Sequence, residues 1–172
     1  IPLFIFAGNL MNTSGLTSQL IRLANSLVGH LRGGLGYVNV ISSVFFAGVN
    51  GSAVADTSAL GSLLVPAMKK EGYATNYAAG LTAASSLIGP IIPPSIFMIL
   101  YASLTNTSVG DLFLAGVIPG LLLGSAFLVM NYLYVRKVGI QSQHERASFK
   151  GVLSAFWYSA PALIAPFIIV SC

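Results

Sequence analysis

Between Arg32 and Lys69 the chain carries a single charge, Asp56, in an apolar stretch broken at Asn50-Gly51-Ser52. As one straight helix, residues 33–68 would be about 50 Å long, far more than a ~30 Å hydrocarbon core needs. As two halves hinged at the break, each would be roughly 24 Å, too short to cross comfortably alone. The flanking charges decide between these readings. Arg22 and Arg32 precede the segment, and Lys69 and Lys70 follow it. A crossing would put the two pairs on opposite sides, whereas entry and return puts all four on the cytoplasmic side, as the positive-inside rule prefers. Residues 33–68 are therefore read as a re-entrant helical hairpin with its tip near Asn50–Ser52. A lone acid and a backbone break at bilayer depth are tolerated where protein or a water-lined cavity surrounds them. Residues 48–61 are accordingly the expected working part.

Composition sets the class. Hydrophobic residues make up 55% and charged residues 7%, with a mean hydropathy of +0.84, whereas soluble domains carry roughly 25% charged residues. The formal charge of +4 is not a nucleic-acid signal, and no nucleic-acid partner is expected. The basic residues sit in small clusters at the edges of apolar segments, the pattern of a topology signal in a lipid bilayer. The single cysteine, Cys172, excludes an internal disulfide and a cysteine-rich metal site. Ile1 already opens an apolar run, so no signal peptide is visible. The chain opens on IPLFIFAGNLMN and closes on PALIAPFIIVSC, which reads as a fragment of a longer permease.

Taken in order, residues 1–11 resemble the last turns of a span. Over 14–31, Leu16, Leu20, Leu23, Leu27 and Leu31 recur at helical spacing, opposite a polar face of Ser18, Gln19, Arg22, Asn25 and Ser26. This is an amphipathic helix, lying either in the membrane interface or against the bundle. After the hairpin, residues 72–110 are too long for one simple helix, and 74–104 are read as a transmembrane helix broken by IGPIIPPS at 88–95. Pro90, Pro93 and Pro94 remove donors from the carbonyls of Ser86, Gly89 and Pro90. Either neighbouring serines satisfy such carbonyls, as at a simple kink, or a small cation does. Three prolines and a glycine within six residues favour a functional break. The polar stretch 105–111 reads as an external loop, and 112–135 as a return span stopped by Arg136 and Lys137. The loop 138–150 carries His144, Arg146 and Lys150, and 152–172 begins the next span. All eight basic residues then fall on the cytoplasmic side.

Ser52 after Asn-Gly raises an intramembrane serine hydrolase, which needs a base beside the nucleophile. The two histidines, His30 and His144, fall at cytoplasmic-edge or loop positions. No zinc-ligand spacing or phosphate-binding glycine loop is present either, so no enzymatic activity is expected. Ion and solute binding suits the residues better. The first half of the hairpin would present carbonyls at its tip, and the second half, starting near Ser52, would present N–H groups. Opposed helix ends at the midplane suit a cation and an anionic solute respectively. Ser52 also fits a plain N-cap, with Asp56 in the first turn. An ionised Asp56 at this depth would need a bound cation or a proton.

FAGVNGSAVADTSALGS, then GPIIPPSIFMILYA, then DLFLAGVIPGLLL, with AGNLMN and SLVGHLRGGLGYVNV before them, resemble the large membrane subunit of TRAP (tripartite ATP-independent periplasmic) transporters. The likeness covers essentially the whole chain; Asn50 departs from the serine expected in many members and keeps a side-chain oxygen. The resemblance implies an all-α membrane protein, one half of an inverted-repeat elevator transporter, residues 1–172 forming a single transport-domain piece. It implies sodium-coupled symport of an organic acid, such as a C4-dicarboxylate or sialic acid, across the bacterial inner membrane. A periplasmic binding protein and a small membrane subunit are the implied partners. Sodium is the implied coupling ion, without an organic cofactor. Carried over residue by residue, the sodium set is Gly51, Ser52, Asp56, Gly89, Pro90 and Ser95, and the substrate contacts are Ser52 and Ser95. The second hairpin would lie beyond Cys172, so this piece should not transport alone. A dicarboxylate or citrate carrier working without a binding protein is the alternative, which an adjacent gene for a secreted binding protein would disfavour. A non-transporting scaffold subunit is a third.

Overall fold

The computed structural model describes residues 16–140, and every regular element in that range is helical. The expectations for residues 1–11, for the loop beyond Ile140 and for 152–172 lie outside the described residues. Helix α1 spans Leu16–Val28, α2 Gly34–Asn50, α3 Ala53–Lys70, and α4 Thr75–Ser85, followed by a 3₁₀ turn over Ser86–Ile88. Helix α5 covers Ile96–Thr105 and α6 Val109–Val138.

Helix α2 is the centre. Val38, Asn39, Val40, Ser42, Ser43, Phe46 and Ala47 are all buried, while Tyr37, Ile41, Val44 and Phe45 on its remaining face are partly buried. Helix α3 folds back along it after two residues, Gly51 and Ser52. The Asn39 amide reaching the Met68 sulfur at 3.4 Å ties the start of α2 to the end of α3, so the pair is antiparallel. On one flank Leu20 and Ala24 of α1 close a core with Val38, Phe46, Leu60 and Leu64. This buries the leucine face of α1 against the hairpin, while Leu27 and Leu31 stay exposed. On the other flank Val40, Ala47 and Met68 meet Leu81 of α4, Ile88 of the turn and Val135 of α6.

Helix α6 runs the length of this assembly. Its 30 residues give about 45 Å, and among the described residues it is the one helix long and apolar enough to cross a membrane. Gly116, Gly120 and Gly124 are buried along one face. A β-carbon there would meet the Ile91 carbonyl and Met98, Ile92, and Val44 with Ile88, respectively. Small residues four apart let helices approach closely where packing, rather than water expulsion, drives association. At the other end of α6, Tyr134 stacks on Tyr77 with centroids 3.4 Å apart and planes 5° from parallel. Tyr73 stacks on both rings and donates its hydroxyl to the Gly33 carbonyl at 2.7 Å. Arg32, Lys69, Lys70, Arg136 and Lys137 thus share the end of the molecule where the hairpin has its base, and the middle of α6 lies level with the Ile88–Ile92 break.

Candidate functional site

The hairpin turns in two residues because Gly51 adopts a left-handed backbone (φ 56°, ψ 15°) and Ser52 an extended one (φ −125°, ψ 111°). Left-handed geometry ends helices and favours glycine. Ser52 then caps α3, its hydroxyl oxygen accepting weakly from the Ala55 N–H at 3.5 Å. The last carbonyls of α2 and the first N–H groups of α3 are thus side by side at one tip, with opposite ends of their helix dipoles.

The proline-rich break lies directly against that tip. A β-carbon on Gly51 would sit 2.6 Å from the Pro94 carbonyl oxygen and 3.3 Å from the Ser95 Cα. One on Gly89 would sit 3.6 Å from the Ala53 nitrogen and 3.7 Å from the Ser52 carbonyl carbon. Gly51, Ser52, Gly89 and Ser95 are therefore brought together across 37 or more positions of sequence by two glycines that leave room for backbone to meet backbone.

The carbonyls expected to be stranded by proline are partly satisfied. Ser86 O accepts from the Gly89 N–H at 3.0 Å, a 3₁₀ bond that bridges the break. Pro90 O accepts from the Ser95 hydroxyl at 2.6 Å. Ser95 is fully buried, caps α5 by accepting from the Met98 N–H at 3.3 Å, and so has its one proton committed. Its oxygen can still face a cation but cannot donate to a carboxylate in this arrangement. Ser52 differs: it is half-buried, and among the described residues its own proton has no acceptor.

Asp56 points away from the turn into the body of the hairpin. It is 2% exposed, faced by the hydroxyls of Ser86 and Ser43, yet neither carboxylate oxygen receives a hydrogen bond. The hydroxyls around it have other partners. Ser86 donates to the Thr82 carbonyl at 2.8 Å and Ser85 to the same carbonyl at 3.2 Å. Ser43 lies 3.0 Å from Ser85, and either hydroxyl can be the donor of that pair. Thr82 in turn donates to the Ala78 carbonyl at 2.8 Å and accepts from the Asn39 amide at 2.6 Å. The Asn39 carbonyl oxygen and the Ser42 hydroxyl are also buried without partners. The result is a buried polar layer whose surplus is oxygen lone pairs. Oxygen donors around a carboxylate match a small hard cation, and a proton on Asp56 would serve the same deficit.

Asn39, Ser42, Ser43, Thr82, Ser85 and Ser86 were not singled out as site residues from the sequence. Their signal is present: each trio has the spacing i, i+3, i+4, one polar stripe on an otherwise apolar helix. His30 lies in the α1–α2 link, at the opposite end of the hairpin from Ser52, which separates the serine from that imidazole.

The whole chain, residues 1–172, matches the family described as the DctM component of the tripartite ATP-independent periplasmic transporter. It is 43% identical to the sialic acid TRAP transporter large permease SiaM of Vibrio cholerae, over 99% of this chain and 40% of that protein. It is 39% identical to the 2,3-diketo-L-gulonate TRAP transporter large permease YiaN of Escherichia coli, again over 99% and 40%. It is 44% identical to the C4-dicarboxylate TRAP transporter large permease DctM of Pseudomonas aeruginosa, over 79% of this chain and 32% of that protein. The chain thus spans two fifths or less of the length of these relatives. The family is a transporter permease component, not an enzyme. With the match running from the first residue to the last, the chain belongs to the DctM family, the large permease component of TRAP transporters.

Proposed function

We propose that the full-length permease is a sodium-coupled symporter of an organic acid in the bacterial inner membrane, crossing it several times. The observation that carries this reading is the apposition of the hairpin tip to the proline break above a buried layer rich in unpaired oxygens. Re-entry of the hairpin is supported by its basic base lying at the Arg136–Lys137 end of α6 while its tip lies level with the middle of that span. Substrates named for the relatives, sialic acid, 2,3-diketo-L-gulonate and C4-dicarboxylates, have the carboxylate in common. The N–H end of α3, with the free proton of Ser52, is where a carboxylate would be held. Ser95, proposed from the sequence as a second substrate contact, suits the cation better with its proton on Pro90.

Sodium, when bound, would supply the positive charge that the carbonyl end of α2 and the Asp56 layer lack. Gly51, Ser52, Gly89, Pro90 and Ser95 would hold it at the tip, with Asp56 supporting from below. Hairpin, α4 and break are joined by one continuous core and polar layer, so they would move as one body in an elevator-type displacement. A periplasmic binding protein would deliver the substrate, and a small membrane subunit would accompany the permease.

The test is uptake by the full-length permease, reconstituted in liposomes with its small subunit and binding protein under an inward sodium gradient. Asp56→Asn and Ser95→Ala are expected to abolish or strongly weaken the dependence on sodium. Unchanged uptake and sodium affinity in both variants would sink the assignment.

A further inference from the structure

A cavity lies at the opposite end of the molecule from the tip. It measures about 690 Å³ and is open to the outside, between the α1–α2 link, the first turn of α2 and the last turns of α6. Arg32 and Arg136 line it together with Tyr37 and Tyr132, over a floor of Leu31, Val135 and Ile140. Tyr132 and Arg136 stand one turn apart on α6, so a phenol and a guanidinium face the same space. No acid is among the described residues of its lining, and both arginines are exposed.

We propose that this cavity binds the headgroup of an anionic phospholipid from the cytoplasmic leaflet, an inference that rests on the membrane topology proposed above. Two guanidinium forks and two phenol hydroxyls are the donors that a phosphodiester accepts. Basic pockets between transmembrane helices at the cytoplasmic surface take such headgroups. The apolar part of the lining selects a lipid over a soluble anion. Leaving the cavity, the outer face of α6 continues through Leu133 (59% exposed) and Val129 (57% exposed) toward the middle of the span. Acyl chains attached to a headgroup at Arg136 would lie along that face, while inorganic phosphate would gain nothing from it. Tyr132, 51% exposed, stands at the depth where aromatic residues anchor a membrane protein in the interface. The site fixes the base of the hairpin to α6, because Arg32 precedes α2 directly and Arg136 belongs to α6.

The experiment uses the full-length complex in nanodiscs of phosphatidylcholine with or without phosphatidylglycerol, followed by native mass spectrometry of the lipid retained. The parent protein is expected to keep phosphatidylglycerol in preference to phosphatidylcholine. Arg32→Gln and Arg136→Gln should each weaken that retention roughly fivefold, and the pair more. Lys137→Gln removes the same charge from the same helix end without touching the cavity and should leave retention unchanged. Arg32→Lys with Arg136→Lys keeps the charge, loses the forks, and should retain the lipid at an intermediate level even if the glutamine pair folds poorly. Equal retention by parent and glutamine variants overturns the proposal, as it would if the small subunit fills the cavity. An equal loss with Lys137→Gln overturns it in favour of diffuse surface charge. Displacement by inorganic phosphate at millimolar levels overturns it in favour of a soluble-anion site. Uptake is read separately, so a permease that retains the lipid but shows no sodium-driven transport refutes the transport reading alone.

Discussion

At Asp56 the deficit is one of protons. Ser85 and Ser86 donate to the Thr82 carbonyl, Ser43 and Ser85 share one hydrogen bond, and neither Asp56 oxygen has a partner among the described residues. An unsatisfied buried polar group destabilises by about 1–3 kcal/mol, more when charged. Asp56→Asn keeps the shape, removes the charge and adds two N–H donors that Ser43 and Ser86 can accept. The full-length variant is therefore expected to melt higher than the parent in sodium-free buffer, by the equivalent of about 1 kcal/mol or more. It should also lose any upward shift of the melt on adding sodium. A variant that melts lower without sodium, yet still gains stability from it, would show that Asp56 is paired in a way these oxygens do not explain.

Two elements depend on glycine for different reasons. At the tip, Gly51 supplies a left-handed residue and the room for the Pro94 carbonyl. Gly51→Ala meets both obstacles, and the left-handed backbone alone costs about 1–2 kcal/mol for an L-residue. It is expected to lower the thermal midpoint and to weaken sodium binding together, measured by a detergent melt and a sodium titration. On α6 the conformation is ordinary and only space matters. Gly120→Ile would drive a branched side chain into Ile92 and push the break off the span, with an expected loss of about 1–3 kcal/mol from overpacking. Sodium affinity should fall with it, since the break would lose its seat against the tip. Leu121→Ile, on the exposed face of the same turn, should leave both measurements within error of the parent.

For the whole molecule the decisive feature is polarity along α6. Basic residues collect at the hairpin base, the tyrosine stack locks that base to α6, and the tip stops against the break. Single cysteines at Arg32 and Lys69, after replacement of Cys172, are expected to react with an impermeant reagent from the cytoplasmic side only. A cysteine at Asp111, in the first turn of α6, should react from the other side. Labelling of Arg32 and Lys69 positions from opposite sides would make the hairpin a crossing segment and refute re-entry.

Several features were legible from residues 16–140 of the chain alone. The low charge, the basic clusters at segment edges and the Asn-Gly-Ser and Gly-Pro-Ile-Ile-Pro-Pro breaks act locally along the backbone, so helical class and break positions can be read in order. The glycine triplet at 116, 120 and 124 was equally local, yet its meaning as a close-packing face needed the partner it packs on. What only the tertiary structure decided is where each hydroxyl sends its proton. Thr82 and Asn39 are 43 positions apart and meet at 2.6 Å, and Ser43 meets Ser85 across 42. A serine reads the same whether it caps a helix, spends its proton on a freed carbonyl or keeps it for a ligand. That difference separates Ser52 from Ser95, and it is set by distances in space that spacing along a helix does not contain.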